Sequence, residues 1–344
     1  MSIRILRAKL DSDRTALIEM FRQYLSADYD DKKFDWLYSR SPHGEGRAWI
    51  ACDQSSGKMA GAAAAFPRKV YLDGKEKTGF VLGDFCVAEG YRSLGPSLQL
   101  QRACIAAMEQ DLFEFLYDFP SEEMLAIYKR LGIPRSGSLA RWAKPLRAEA
   151  KAQGILRSKT LAKAAAFVVD PLLRRRGWKG GKDTCEIAVH QGLCGDEFTN
   201  LQQRFQKRPG IQTCRNSQYL NWRFLERPNV TNEILTVRRE GTLIGYVVYT
   251  RAVKDASILD LDCVHESSVV ARLLAAAVER LRLLGAPTVS LHSAEAHPWN
   301  QVFEHAGFRR RETAPIVVST RSGASISPHD FQSNWRAMSG ERES

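Results

Sequence analysis

Val87-Ala88-Glu89-Gly90-Tyr91-Arg92-Ser93-Leu94-Gly95-Pro96-Ser97-Leu98 joins two segments of different periodicity. Ahead of it, Phe80-Val81-Leu82-Gly83-Asp84-Phe85-Cys86-Val87 is apolar and β-branched enough for a buried strand. Behind it, Leu98, Leu100, Ala103, Ile105, Ala106 and Met108 recur at helical spacing. The stretch is therefore a strand-to-helix turn. Such a turn points unpaired backbone N–H groups and the positive end of a helix dipole into one concavity, which suits a diphosphate. Gly95 admits a ligand closely, Pro96 at the first helical position loses no needed donor, and Ser97 keeps the helix start narrow. An ordinary βα turn with no ligand has the same outline.

Arg92-x-x-Gly95-x-Ser97, following a strand that ends in Val87, resembles the Arg/Gln-x-x-Gly-x-Gly/Ala acyl-CoA loop of the GNAT superfamily of N-acyltransferases. Ser97 in the final small position and Pro96 before it depart from that pattern. The family follows this helix with a strand, a short helix bearing a tyrosine, and a Gly-Phe-like end. Here Leu112 to Phe119 reads as the strand, and Pro120 and Ser121 open a helix carrying Tyr128-Lys129-Arg130-Leu131-Gly132-Ile133, with Ile133 in place of the usual Phe. Upstream, Met1 to Leu10 reads as a strand, with Asp11-Ser12-Asp13 as a helix cap. Residues 14–27 form an amphipathic helix on Leu17, Met20, Phe21 and Leu25, and Phe34 to Tyr38 begin a second. Ala48 to Cys52 and Met59 to Val70 are adjacent strands, with a hairpin through Asp73-Gly74. This is the element order of a GNAT domain.

The 344 residues suffice for two domains, and a repeat marks them. Phe34-Asp35-Trp36 to Pro42 returns as Leu220-Asn221-Trp222 to Pro228, and Gly57 to Gly61 as Gly241 to Gly245. Asp84 to Val87 is echoed by Leu261 to Val264, and Tyr128 to Ile133 by Phe303 to Phe308. The expected fold class is α/β (α+β, mixed sheet), two GNAT-like domains in tandem joined by a basic helical linker. The boundaries are 1–146 for the acyl-CoA-binding domain, 147–182 for the linker, 183–320 for the second domain and 321–344 for a tail. A single larger α/β domain is the alternative. The second copy runs from Val264 into a helix without Arg-x-x-Gly and carries Phe303 at the tyrosine position, so it reads as degenerate. Phe331 and Trp335 are expected to dock the tail on that second domain.

The net charge of +11 is concentrated: residues 129–182 alone carry +13. Their apolar periodicity makes this a basic amphipathic stretch, either a docked linker with solvated charges or a contact for an anionic membrane or polyanion. No aromatic nucleic-acid motif accompanies it, which counts against nucleic acid as a partner. The seven cysteines lack tight pairing or metal-ligand spacing, and no membrane span is found, so a reduced, cytoplasmic protein is expected.

The resemblance implies acetyl-CoA or another acyl-CoA as co-substrate, no metal, and a small primary amine attacking the thioester directly. It places Phe85, Cys86 and Val87 on the pantetheine arm, and Arg92, Ser93, Leu94, Gly95, Pro96 and Ser97 on the diphosphate. Tyr128 takes the position of the general acid, though a tyrosine there also serves packing. Asp84 takes the acidic strand position, as base or as a buried structural carboxylate, with Asp118 as its rival. Cys86 reads as a packing residue. His43, and His292 and His297 with Glu295, suggest solvation and helix capping rather than a metal, and Trp36 and Trp222 suggest core. Two other readings stand beside this one. A Fem-type aminoacyl transferase is favoured by the basic linker and opposed by the acyl-CoA loop; a non-catalytic scaffold would be recruited through 129–182.

Overall fold

The computed structural model describes residues 2–92, 94–147, 185–252, 256–264 and 266–342. The chain opens with β1 (Ile3–Arg7), α1 (Leu10–Tyr24) and α2 (Asp31–Tyr38), then β2 (Arg47–Asp53), β3 (Met59–Leu72) and β4 (Lys75–Val87). Next come α3 (Leu94–Gln110), β5 (Phe115–Asp118), α4 (Glu122–Arg130) and β6 (Arg135–Pro145). From Cys185 onward the elements are β7 (Glu186–Val189), α5 (Asp196–Phe205), β8 (Ile211–Thr213), α6 (Ser217–Leu220) and β9 (Asn232–Arg239). They continue with β10 (Thr242–Thr250), β11 (Ala256–Cys263), α7 (Ser267–Leu283), β12 (Thr288–Ala294), α8 (Asn300–His305), β13 (Arg309–Thr320) and α9 (Pro328–Asn334). The linker expected at 147–182 falls, after Arg147, outside the described residues.

One sheet runs β1-β2-β3-β4-β5-β13-β6-β12-β11-β10-β9-β7, with β8 added to β3. Its order reads alike from either edge. β1 to β5 on one side correspond in place to β7, β9, β10, β11 and β12 on the other, and β6 and β13 are exchanged at the centre. β13 pairs with β5, β6 with β12, and the two pair with each other. Cores lie on both faces: Leu17, Phe21, Phe34 and Tyr38 of α1 and α2 on one, Leu100, Cys104 and Met108 of α3 on the other.

Local chemistry explains the readable elements. Asp73 and Gly74 both adopt positive φ, 49° and 82°, as a two-residue hairpin matched to strand twist requires. Ser121 caps α4, its Oγ accepting from Met124 N. Residues 128–133 and 303–308 end their helices alike, with Gly132 and Gly307 at φ 76° and 88°. In both, the next residue donates back six positions inclusive, Ile133 N to Tyr128 O and Phe308 N to Phe303 O.

Other expectations are corrected. α1 is capped by Lys9, and Asp13 closes the first turn by accepting from Lys9 N at 2.7 Å. The strand expected from Leu112 begins only at Phe115, because Leu112 is exposed at φ 58° in the preceding turn. Pro96 is the third helical residue, still within the turn whose N–H groups have no intrahelical acceptor. Phe331 and Trp335 pack against Phe115, Tyr117 and Phe119 at β5 of the first half, with ring separations of 4.9–6.4 Å, and Trp335 also bridges Ile211 of β8 in the second.

Candidate active site

β4 and β5 pair in parallel only from Gly79↔Phe115 to Val81↔Tyr117. β5 then ends at Asp118, while β4 continues to Val87 on its β3 side, so the two strands part into a wedge. Within the wedge β4 bulges. Its register against β3 slips between Ala62 and Ala64, and Asp84 sits at φ 43°. The extra residue re-phases the strand. Phe80 and Leu82 face the α3 core, and beyond the bulge Phe85 and Val87 do so, while Val81 and Cys86 face the α1–α2 core. Simple alternation would have put Cys86 with Leu82.

A cavity of about 590 Å³ opens in the wedge, lined by Phe85, Cys86, Val87, Arg92 and Ser97 together with α4 residues that include Ile127 and Arg130. Five of the residues chosen from the sequence thus meet on one surface. Arg92 is exposed just after the short turn Glu89–Tyr91. That turn is tied down by Ala88 N to Ala60 O at 2.9 Å and by the Tyr91 hydroxyl donating to Asp53 Oδ2 at 3.0 Å. Leu94 begins α3; Gly95 is exposed and Pro96 buried in its first turn, and Ser93 lies outside the described residues. Burial, then Asp84, pushes the Cys86 thiol up to about 12, so it is an inert packing group at neutral pH.

A second cavity of about 460 Å³ adjoins the first, sharing Phe85, Ser121 and Met124. Both Asp84 and Asp118 line it. Asp84 accepts from the hydroxyls of Tyr29 and of Tyr38, the latter at 3.1 Å; burial raises its pKa, against those two bonds. Asp118 accepts from the Tyr128 hydroxyl at 2.7 Å and from Phe119 N at 2.7 Å, and burial pushes it up to about 6 against both. Tyr128 is fully buried, with Gln101 Oε1 at 3.3 Å as a further acceptor, and it lines neither cavity. Sequence reasoning missed Tyr29, Lys33, Gln101 and Arg342, which also line the second cavity. Tyr29 and Lys33 bracket the start of α2 beside the expected helix, whereas nothing in the sequence brings Arg342 to β5.

The corresponding wedge in the other half is filled. β11 and β12 pair only from Ala256↔Val289 to Ile258↔Leu291. Beyond that, the chain after α9 lies between them. Ala294 N donates to Ala337 O at 3.0 Å and His292 N to Ser339 Oγ at 3.0 Å; Gly340 lies so close to Phe224 and Leu259 O that a side chain would collide. Glu341 is anchored to Arg215 at 2.8 Å, and Arg215 also holds Asp260. Among the described residues, no three His, Cys, Asp or Glu side chains converge to hold a metal ion, and no helix is long and apolar enough to cross a membrane.

Solved structures share this fold. A GCN5-related N-acetyltransferase from Anabaena variabilis superposes with a TM-score of 0.66 at 13% identity, over 93% of this chain and 73% of that one. Saccharomyces cerevisiae N-myristoyltransferase with bound myristoyl-CoA gives 0.60 at 10%, over 92% and 82%. A tandem GNAT protein from the clavulanic acid biosynthesis pathway gives 0.59 at 14%, over 95% and 100%. No protein-family model and no curated protein matches the sequence. The architecture is therefore the mixed α/β GNAT fold, and at these identities the likeness shows the fold alone.

Proposed function

We propose that the protein is an acyl-CoA-dependent N-acyltransferase, acetyl-CoA being the default donor, that acts on a primary amine through its amino-terminal half. The observation that carries this is the open wedge between β4 and β5, which leads from the Arg92–Ser97 turn to a cavity lined by two half-buried carboxylates. In this reading Arg92, Ser93, Leu94, Gly95, Pro96 and Ser97 hold the diphosphate at the start of α3, and Phe85, Cys86 and Val87 flank the pantetheine arm. Asp118 takes a proton from the ammonium form of the acceptor. The amine nitrogen then bonds to the thioester carbon, the C–S bond breaks, the now cationic nitrogen releases its surplus proton to solvent, and the departing thiolate is protonated from solvent. Tyr128 is a positioning residue, holding Asp118 through its hydroxyl. Asp84, carrying two tyrosine hydroxyls, orients the α1–α2 side of the acceptor cavity.

The paired sheet order and the matching helix ends at Gly132 and Gly307 support a tandem reading in which the second half is non-catalytic, its wedge closed by the chain itself. The test is release of free thiol from acetyl-CoA with a panel of primary amines. Amine-dependent release whose rate falls as pH drops through about 6 is expected; acetyl-CoA left intact with every amine contradicts the assignment.

A further inference from the structure

Behind the acceptor cavity lies a recess of about 200 Å³, lined by Arg223, Arg227, Arg342, His292, Ser257 and Ser339 among others. No carboxylate lines it. Arg342 borders both spaces, so the recess adjoins the cavity that holds Asp84 and Asp118. We propose that the acceptor is a bifunctional molecule, a primary amine that also carries an oxyanion, carboxylate or phosphate, with the anion bound in this recess. The proposal rests on the acyltransferase reading and adds the class of substrate to it.

The recess gathers three guanidinium groups, and Glu341, whose charge Arg223 feels, does not line it. Arg223 is buried, its Nε donating to Gly340 O at 2.9 Å and its Nη2 to Arg342 O. Burial, with Arg227 and Arg68 nearby, pulls Arg223 down to about 9, and burial lowers Arg227 and Arg342 as well. The opposing charges felt by those two are Asp28 for Arg227 and Asp118 for Arg342, neither of which lines the recess. Burial, then Arg342 and Arg141, pushes His292 down to about 4, so it is neutral at pH 7 and, with Nδ1 3.1 Å from Ser339 Oγ, supplies hydrogen bonding rather than charge. Guanidinium groups collected out of water are stabilised by a planar or tetrahedral oxyanion that takes several N–H bonds at once. At the other end, Asp84 and Asp118 stand among the cations Lys33 and Arg342 and suit an ammonium group, whereas the recess is lined by cations without a carboxylate. The acceptor space is thus polarised along its length, and a zwitterionic ligand matches both ends where a plain alkylamine matches one.

The test is calorimetric titration of the acetyl-CoA-loaded protein with two matched pairs, O-phosphoethanolamine against ethanolamine and β-alanine against propylamine. The anionic member of at least one pair is expected to bind about tenfold tighter or more, and the pair that discriminates tells phosphate from carboxylate. Arg227→Gln should shrink that preference by about tenfold and Arg227→Lys should restore part of it, with acetyl-CoA affinity serving as the check on folding. Equal or absent binding of charged and neutral probes, or a preference unmoved in both Arg227→Gln and Arg342→Gln, overturns the proposal while leaving the acyltransferase reading in place. Failure to bind acetyl-CoA at all overturns both.

Discussion

Asp118 shows how a single side chain carries opposed demands of stability and chemistry. Its folded pKa of about 6 stands above the ordinary 3.8 because burial disfavours the carboxylate. Between those values the folded chain holds a proton that the unfolded chain has released. Stability from this group is therefore fully present below about pH 4 and lost as pH rises through 6, a difference of about 3 kcal/mol. Asp118→Asn, which keeps an oxygen to accept from Phe119 N and offers an amide N–H to the Tyr128 oxygen while that hydroxyl donates to Gln101, should raise unfolding free energy in urea at pH 8 by about 1–3 kcal/mol. It should leave stability unchanged near pH 4, and it should lower turnover by about 100-fold or more. Equal stability at both pH values would show that Asp118 is not held near neutrality by burial. At this scale the sequence was partly legible. The strand-loop-helix pattern located Asp84, Cys86 and Arg92, because their spacing is local. It could not show the bulge at Asp84, which depends on β3 as partner, nor bring Arg342 beside Asp118 across the chain.

The segment from Ala337 to Glu341 completes a core with one isolated bridge, Met338 to Ser293, and a single 3-10 turn, Ser339–Glu341, rather than as a strand of the sheet. Its anchor is a buried charge cluster: Arg215 bonds Asp260 at 2.9 Å and Glu341 at 2.8 Å, and the Tyr246 hydroxyl donates to Asp260 at 2.9 Å. Asp260 lies on β11 and Glu341 in the tail, so one guanidinium ties the tail into the wedge. Arg215→Leu leaves two carboxylates buried without their cation and should cost about 3–5 kcal/mol, read from the denaturant midpoint at constant slope. A cost below about 1 kcal/mol would mean that the tail is held by packing alone. Hairpins and helix caps were readable because two or four residues specify them, as Asp73-Gly74 and Ser121 do. The tail's landing place was not, because it depends on an opening between two strands that pair for only three residues.

Across the whole molecule, the repeated Trp36 and Trp222 meet each other. Their rings stack at 5.2 Å, and each indole N–H donates to the other's carbonyl, at 2.6 and 2.7 Å. The sequence pattern matched Trp36 with Trp222; only the assembled fold shows that the two side chains touch. It likewise gave no sign that β6 and β13 trade places, since periodicity marks a strand without naming its neighbour. Trp36→Phe leaves the Trp222 carbonyl buried without its donor and should cost about 1–3 kcal/mol. With the sheet continuous through the exchanged strands, far-ultraviolet and tryptophan signals should still report one coincident transition; two separate transitions would show that the halves fold independently. The open wedge beside Gly95 should bind acyl-CoA, and the wedge filled by Ala337–Glu341 should not. Calorimetric titration of acetyl-CoA into the wild type and Gly95→Glu, whose carboxylate would repel a diphosphate at the start of α3, tests it most directly. One site per chain, lost in the variant, is expected; two sites, no binding, or binding unchanged by Gly95→Glu would overturn the assignment of acyl-CoA to the open wedge alone.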